Sequence, residues 1–147
     1  MEARSRIESP DVEREASTTV VSIHSDADIV AARQKGRELA RSLGFSAGEA
    51  TLVATAISEL ARNVVQYAIR GEVALWPVTS GRRRGIAISV RDEGPGIPDV
   101  DRALEDGFST SGRLGLGLPG VRRLMDEIDI ESTPGRGTLV CATKWRR

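Results

Sequence analysis

The densest apolar pattern in the chain lies between Ala47 and Ala68. At about 100° per residue, Val53, Ile57, Leu60, Val64 and Tyr67 fall on one stripe, which predicts a helix packed on a core. Ser46-Ala47-Gly48-Glu49 directly before it is a Ser-x-x-Glu capping box and marks its start. Glu59 and Asn63, one turn apart, share the flank of that stripe, and Arg62 is expected on the opposite side. Upstream, the β-branched run Ser17–His24 predicts a strand. Ser25 and Asp28 resemble the cap of a first helix carrying Ile29, Val30, Leu39 and Leu43, with Gly44 past its end.

Beyond Gly71 the pattern changes period. Glu72–Thr79 reads as a strand that Pro77 pushes towards an edge, and Gly81–Gly85 as a polar turn. Gly85–Arg91 then alternates, with Ile86, Ile88 and Val90 on one face. A period of two carries that face on to Asp92, so a carboxylate points at the core. Such a group is costly unless hydrogen-bonded, and a ligand is one candidate partner. The stretch from Glu93 through Gly112 is polar and glycine-rich and predicts a mobile loop. A helix follows, with Pro119 in its first turn and Val121, Leu124 and Met125 at helical spacing. The strands Ile128–Thr133 and Thr138–Trp145, joined by a turn at Pro134–Gly137, complete the pattern. Residues 1–16 alternate charge with Ser and Pro, have little to bury, and are expected to form a mobile tail ahead of one domain over 17–147.

Composition narrows the classes of function. At 147 residues one core suffices, and the lone Cys141 excludes a disulfide scaffold or a cysteine-ligated metal finger. Twenty-one basic residues balance twenty-one acidic ones, so a nucleic acid is not the expected partner. With no spanning stretch and no apolar leader, the expectation is a soluble cytoplasmic protein that does not engage a membrane.

Gly115 and Gly117 precede a helix, where free N–H groups and the helix dipole attract phosphate. Gly115, Gly117 and Gly120 also match G-x-G-x-x-G, but the preceding strand and the βαβ unit of a dinucleotide fold are missing. A P-loop is absent from the sequence.

Four separated motifs, taken in order, carry a specific resemblance. Glu59-Leu60-Ala61-Arg62-Asn63 on a helix, Asp92-Glu93-Gly94-Pro95-Gly96 after a strand, Gly115-Leu116-Gly117-Leu118 opening a helix, and Arg136-Gly137-Thr138 in the last hairpin resemble the N box and glycine boxes of the GHKL ATP-binding superfamily. The short loop between them and the small size make the chain most similar to bacterial serine/threonine kinases of partner-switching systems, in particular the stressosome switch kinases. The resemblance covers roughly Ser17 to Trp145.

It implies a Bergerat-type α/β (α+β) sandwich, with a mixed, mostly antiparallel sheet and about three helices on one face. It implies ATP and Mg²⁺ as cofactors. Asn63 would hold the metal and Glu59 would act as general base on the acceptor hydroxyl. Asp92 would take a hydrogen bond from the adenine amino group, with Gly94 and Gly96 beside the base and Thr138 in support. Gly115, Gly117 and Arg113 would meet the phosphates. The implied activity is phosphorylation of a small STAS-domain antagonist or scaffold protein, followed by activation of a PP2C-type phosphatase, for which the bare sheet face is available. The alternatives are an anti-sigma factor kinase that holds a sigma factor, and a nucleotide-gated binding module without phosphotransfer. Gly135 and Gly137 read as turn residues, His24 as a strand end, Cys141 as a small buried apolar residue and Arg82–Arg84 as a solvated hairpin tip. Lys144, Arg146 and Arg147 are expected only to end the chain solubly.

Overall fold

The computed structural model describes residues 17–68, 70–96, 104 and 117–147. The expected mobile tail and most of the expected loop between Glu93 and Gly112 lie outside the described residues. In chain order the elements are β1 (Thr19–Ile23), α1 (Asp26–Ser42), α2 (Ala47–Tyr67), β2 (Gly71–Ser80), β3 (Arg83–Asp92), α3 (Leu118–Leu124), β4 (Glu127–Thr133) and β5 (Gly137–Trp145).

Both capping signals are realised. Asp28 Oδ2 accepts from the backbone N–H of His24 at 2.8 Å and of Ser25 at 3.1 Å. Ser46 Oγ accepts from Glu49 N–H at 3.1 Å, and Glu49 Oε1 reaches back to Ser46 N–H at 3.4 Å. Gly44, at φ +91°, ends α1 in the left-handed region.

The strands run in the order β1-β2-β3-β5-β4, and every pairing is antiparallel. The sheet expected to be mixed but mostly antiparallel is antiparallel throughout its described strands. Tight hairpins join β2 to β3 and β4 to β5, and the α1–α2 helix pair returns the chain to the sheet end it left, so β2 enters antiparallel to β1. The edge expectation for Pro77 holds only locally. β2 lies between β1 and β3, but β1 pairs only with Gly71–Leu75, so Pro77 sits where β1 does not reach.

The core lies between the helices and one sheet face. Val53, Ile57, Leu60 and Val64 of α2 meet Val73, Leu75, Ile86, Ile88 and Val90, all buried. Each such side chain contributes roughly 1.5–3 kcal/mol. Tyr67, expected on the same stripe, is exposed, because it is the last helical residue and projects past the sheet contact anchored by Val64. Val30 is also exposed, since its neighbour Ile29 takes the inward direction. On the opposite face Ala74, Trp76, Val78 and Ala87 form a second apolar cluster with Cys141 and Trp145 against it. Trp76 and Ala87 are fully buried there, so this part of the sheet is not the bare face expected from the sequence. No described helix is long and apolar enough to cross a membrane.

Candidate active site

Alternation along β3 sets the site. Val90 faces the helices and pairs with Val140, and two residues on Asp92 pairs with Thr138, which in turn pairs with Ser132 on β4. Gly71 of β2 completes this row. A row of Asp92, Thr138 and Ser132 therefore crosses one end of the sheet on the helix-facing side, where the apolar row stops.

Asp92 is half-buried, and its Oδ1 accepts from Gly94 N–H at 2.8 Å. Its other carboxylate oxygen has no hydrogen-bond donor among the described residues, which leaves an acceptor at the edge of the core. Thr138 does not bond Asp92 directly. Its hydroxyl lies 3.0 Å from Ser132 Oγ, which also donates to Gly137 O at 3.2 Å. Thr138 thus faces Asp92 as part of a hydroxyl pair, and sequence reasoning missed Ser132. Its signal was the continuation of Ile128 and Ile130 on the inward face of β4.

The glycines around Asp92 have reasons within the chain. A Cβ on Gly94 would approach Tyr67 O and Ala68 Cβ at 3.0 Å, so the loop lies against the end of α2. Gly96, at φ +82°, lies against Thr133 O at 2.7 Å from an added Cβ. The loop is also tied to the last hairpin by Gly135 N–H donating to Pro95 O at 2.9 Å. Gly137, at φ +121°, packs against the Asp92 carbonyl with no room for a side chain. Expected as a turn residue, it instead opens β5 directly after the turn and seats the Asp92 backbone.

Glu59 and Asn63 stand on the C-terminal half of α2. The same stretch of helix reaches the Asp92 end, because an added Cβ on Gly71, opposite Asp92, would lie 2.8 Å from Val64 Cγ1. Asn63 is half-buried, whereas Glu59 is buried at 6 % exposure. The sequence reading of Arg62 is overturned here. Arg62 Nη1 donates to Glu59 Oε1 at 2.9 Å, because three residues along a helix return to within about 60° of the starting direction.

Gly117 is the N-cap of α3, which packs on α2 through the buried Val121. Pro119 sits in the first turn as expected, but α3 ends at Leu124 and Met125 is its C-cap. Arg113 and Gly115 lie outside the described residues. Lys144 is not a solubilising end residue. It is buried, and its Nζ donates to Leu124 O at 2.9 Å, closing the C-terminus of α3 where a cation is favoured. Arg147 pairs with Asp126 at 2.6 Å, and Arg83 stacks over the Trp145 ring at 4.3 Å.

The described side chains fit a bound nucleotide at this end. Asp92 offers an acceptor that no described residue fills, and Asn63 offers a hard oxygen one turn from the buried carboxylate of Glu59. Among the described residues no cluster of three or more His, Cys, Asp or Glu could cage a metal alone.

Residues 24–144 match the family model of the histidine kinase-like ATPase domain. This chain belongs to that family. It is 51% identical over 127 residues to the serine/threonine-protein kinase RsbT of Bacillus subtilis (strain 168), covering 86% of this chain and 96% of that one. The anti-sigma F factor of Thermoanaerobacter sp. (strain X514) is 36% identical over 99 residues, 63% of this chain and 68% of that protein. A mycobacterial sensor histidine kinase, MprB, shares the fold, with a TM-score of 0.53 at 15% identity over 88% of this chain and 97% of that one. Within the family, this kinase groups with the partner-switching protein serine/threonine kinases, as the four motifs implied.

Proposed function

We propose that this kinase transfers the γ-phosphate of ATP to a serine or threonine of a small STAS-domain antagonist or scaffold protein, and then exchanges that partner for a PP2C-type phosphatase which it activates. The observation that carries the reading is the pair on α2: a buried, ion-paired Glu59 one turn before Asn63, at the sheet end where Asp92 has a carboxylate oxygen that no described residue bonds.

Each residue has a defined task. Asp92 accepts from the adenine amino group while Gly94 N–H fixes its other oxygen. Thr138 and Ser132 support that end of the sheet. Gly117, with Gly115 and Arg113 ahead of it, meets the phosphates at the start of α3. Asn63 supplies its side-chain oxygen to Mg²⁺, which when bound neutralises phosphate charge. Glu59 removes the proton from the acceptor hydroxyl as that oxygen bonds to the γ-phosphorus. The bond from that phosphorus to the bridging oxygen breaks, and ADP leaves with its electron pair. The activity belongs in the cytoplasm, where ATP and such partners meet.

The similarity to anti-sigma F factors favours a second reading, a kinase whose alternative partner is a sigma factor. The likeness to RsbT is higher and covers nearly all of that protein, which supports the phosphatase branch. The test is incubation of the kinase with Mg-ATP labelled at the γ-phosphate and a panel of STAS-domain proteins encoded beside its gene. Label on serine or threonine, abolished by chelation of Mg²⁺, is expected. Absence of label despite ATP binding contradicts the reading.

A further inference from the structure

We propose that Arg62 is a positioning residue for phosphotransfer: its guanidinium sets the orientation of the Glu59 carboxylate that receives the proton. The inference rests on the reading of Glu59 as the base. The side chains differ sharply in environment, 7% exposed for Glu59 and 40% for Arg62, and the bond between them is 2.9 Å. Such a contact is charge-assisted and directional. An exposed pair at this spacing on a helix is a weak ornament of the surface, but here one partner is a desolvated carboxylate whose direction depends on what bonds it.

The contact joins Nη1 of Arg62 to Oε1 of Glu59. The remaining guanidinium donors make no other hydrogen bond to the described residues, so the arginine is held in place by Glu59 and holds it in return. Glu59 cannot drift along its rotamers without breaking that bond. Arg62 is also the chain neighbour of Asn63, so one turn of α2 carries the base, the residue that aims it and the residue proposed for the metal. A base displaced by about 1 Å loses roughly 10²-fold in rate, which is the scale of the expected effect.

The experiment compares wild type, Arg62→Met, Arg62→Lys and Glu59→Gln in steady-state transfer from Mg-ATP to the STAS-domain protein that accepts label, with ADP affinity by calorimetry and thermal unfolding alongside. Arg62→Met is expected to lower kcat about 10²-fold with the KM for ATP and the ADP affinity within about twofold of wild type. Arg62→Lys, which keeps a cationic donor on a shorter head group, is expected to recover at least about tenfold of that loss. Wild-type kcat in a folded Arg62→Met protein overturns the inference. So does a loss of ADP affinity parallel to the loss of kcat, or a Lys variant no better than Met, since each makes Arg62 structural only. Should Arg62→Met fail to fold, the Lys variant and Arg62→Gln are compared in its place against the same criteria. Undiminished transfer by Glu59→Gln, by contrast, overturns the assignment of the base itself.

Discussion

Asp92 and Thr138 stand opposite each other in the β3–β5 ladder, at the point where the inward row of apolar side chains gives way to polar ones. Gly94 occupies one oxygen of Asp92, and no described residue bonds the other. Asp92→Asn keeps an acceptor for Gly94 N–H but can present an amide in place of the open carboxylate oxygen. Loss of a hydrogen bond to a charged group of about 1.5–3 kcal/mol should weaken ADP binding by roughly 10- to 150-fold. Calorimetry of the variant, with circular dichroism to show the fold intact, checks this; unchanged affinity removes Asp92 from the site.

Gly137 holds the strand beneath that carboxylate. Its φ of +121° and its contact with the Asp92 carbonyl leave no room for a Cβ. Gly137→Ala should therefore cost roughly 1–3 kcal/mol or more of stability and weaken ADP binding with it. Denaturant unfolding and calorimetry on the same sample decide; a variant as stable as wild type contradicts the packing described for this corner.

Lys144 ties β5 to the C-terminus of α3 through its bond to Leu124 O. Lys144→Met removes a buried charge, which favours the variant, and orphans a part-buried carbonyl at a helix end, which disfavours it. The orphaned acceptor and lost dipole interaction together should win, with a net destabilisation of about 1–2 kcal/mol. Urea unfolding tests the sign, and a stabilised variant shows that desolvation of the ammonium dominates.

At the start of α1, the backbone N–H of His24 bonds Asp28 and lowers its pKa, with further help from Ser25 and against a smaller opposing effect of desolvation. A carboxylate with a lowered folded-state pKa contributes stability above its unfolded-state value and loses it as pH falls through the folded-state value. Wild type should therefore lose part of its stability on acidification below the ordinary carboxylate range, and Asp28→Asn should show a flatter acid limb. Thermal unfolding from pH 7 to pH 3 reads this directly, and parallel limbs contradict it.

The legible parts of the fold were those written in local period and spacing. Asp92 was visible because a period of two has no ambiguity once Ile86, Ile88 and Val90 are placed, and the α1 and α2 caps because their side chains act within one turn. The period of two through Ile128 and Ile130 marks Ser132 as inward, but its place beside Thr138 comes from the β4–β5 register, which no local pattern encodes. Lys144 was misread because a cation near a chain end looks solvated, whereas the inward parity of β5 buries it under α3. Arg62 was misplaced by treating the helix flank as narrower than it is, and Tyr67 by extending a stripe past the last residue that touches the sheet.

The central claim is that Glu59 performs transfer without contributing to nucleotide binding. The most direct measurement is single-turnover transfer of labelled γ-phosphate to the proposed STAS-domain acceptor by wild type and Glu59→Ala, both saturated with Mg-ATP at an occupancy verified by calorimetry. The account predicts equal occupancy and a rate lower by about 10²–10⁴-fold in the variant. Equal rates at equal occupancy, or a variant that no longer binds nucleotide, contradict it.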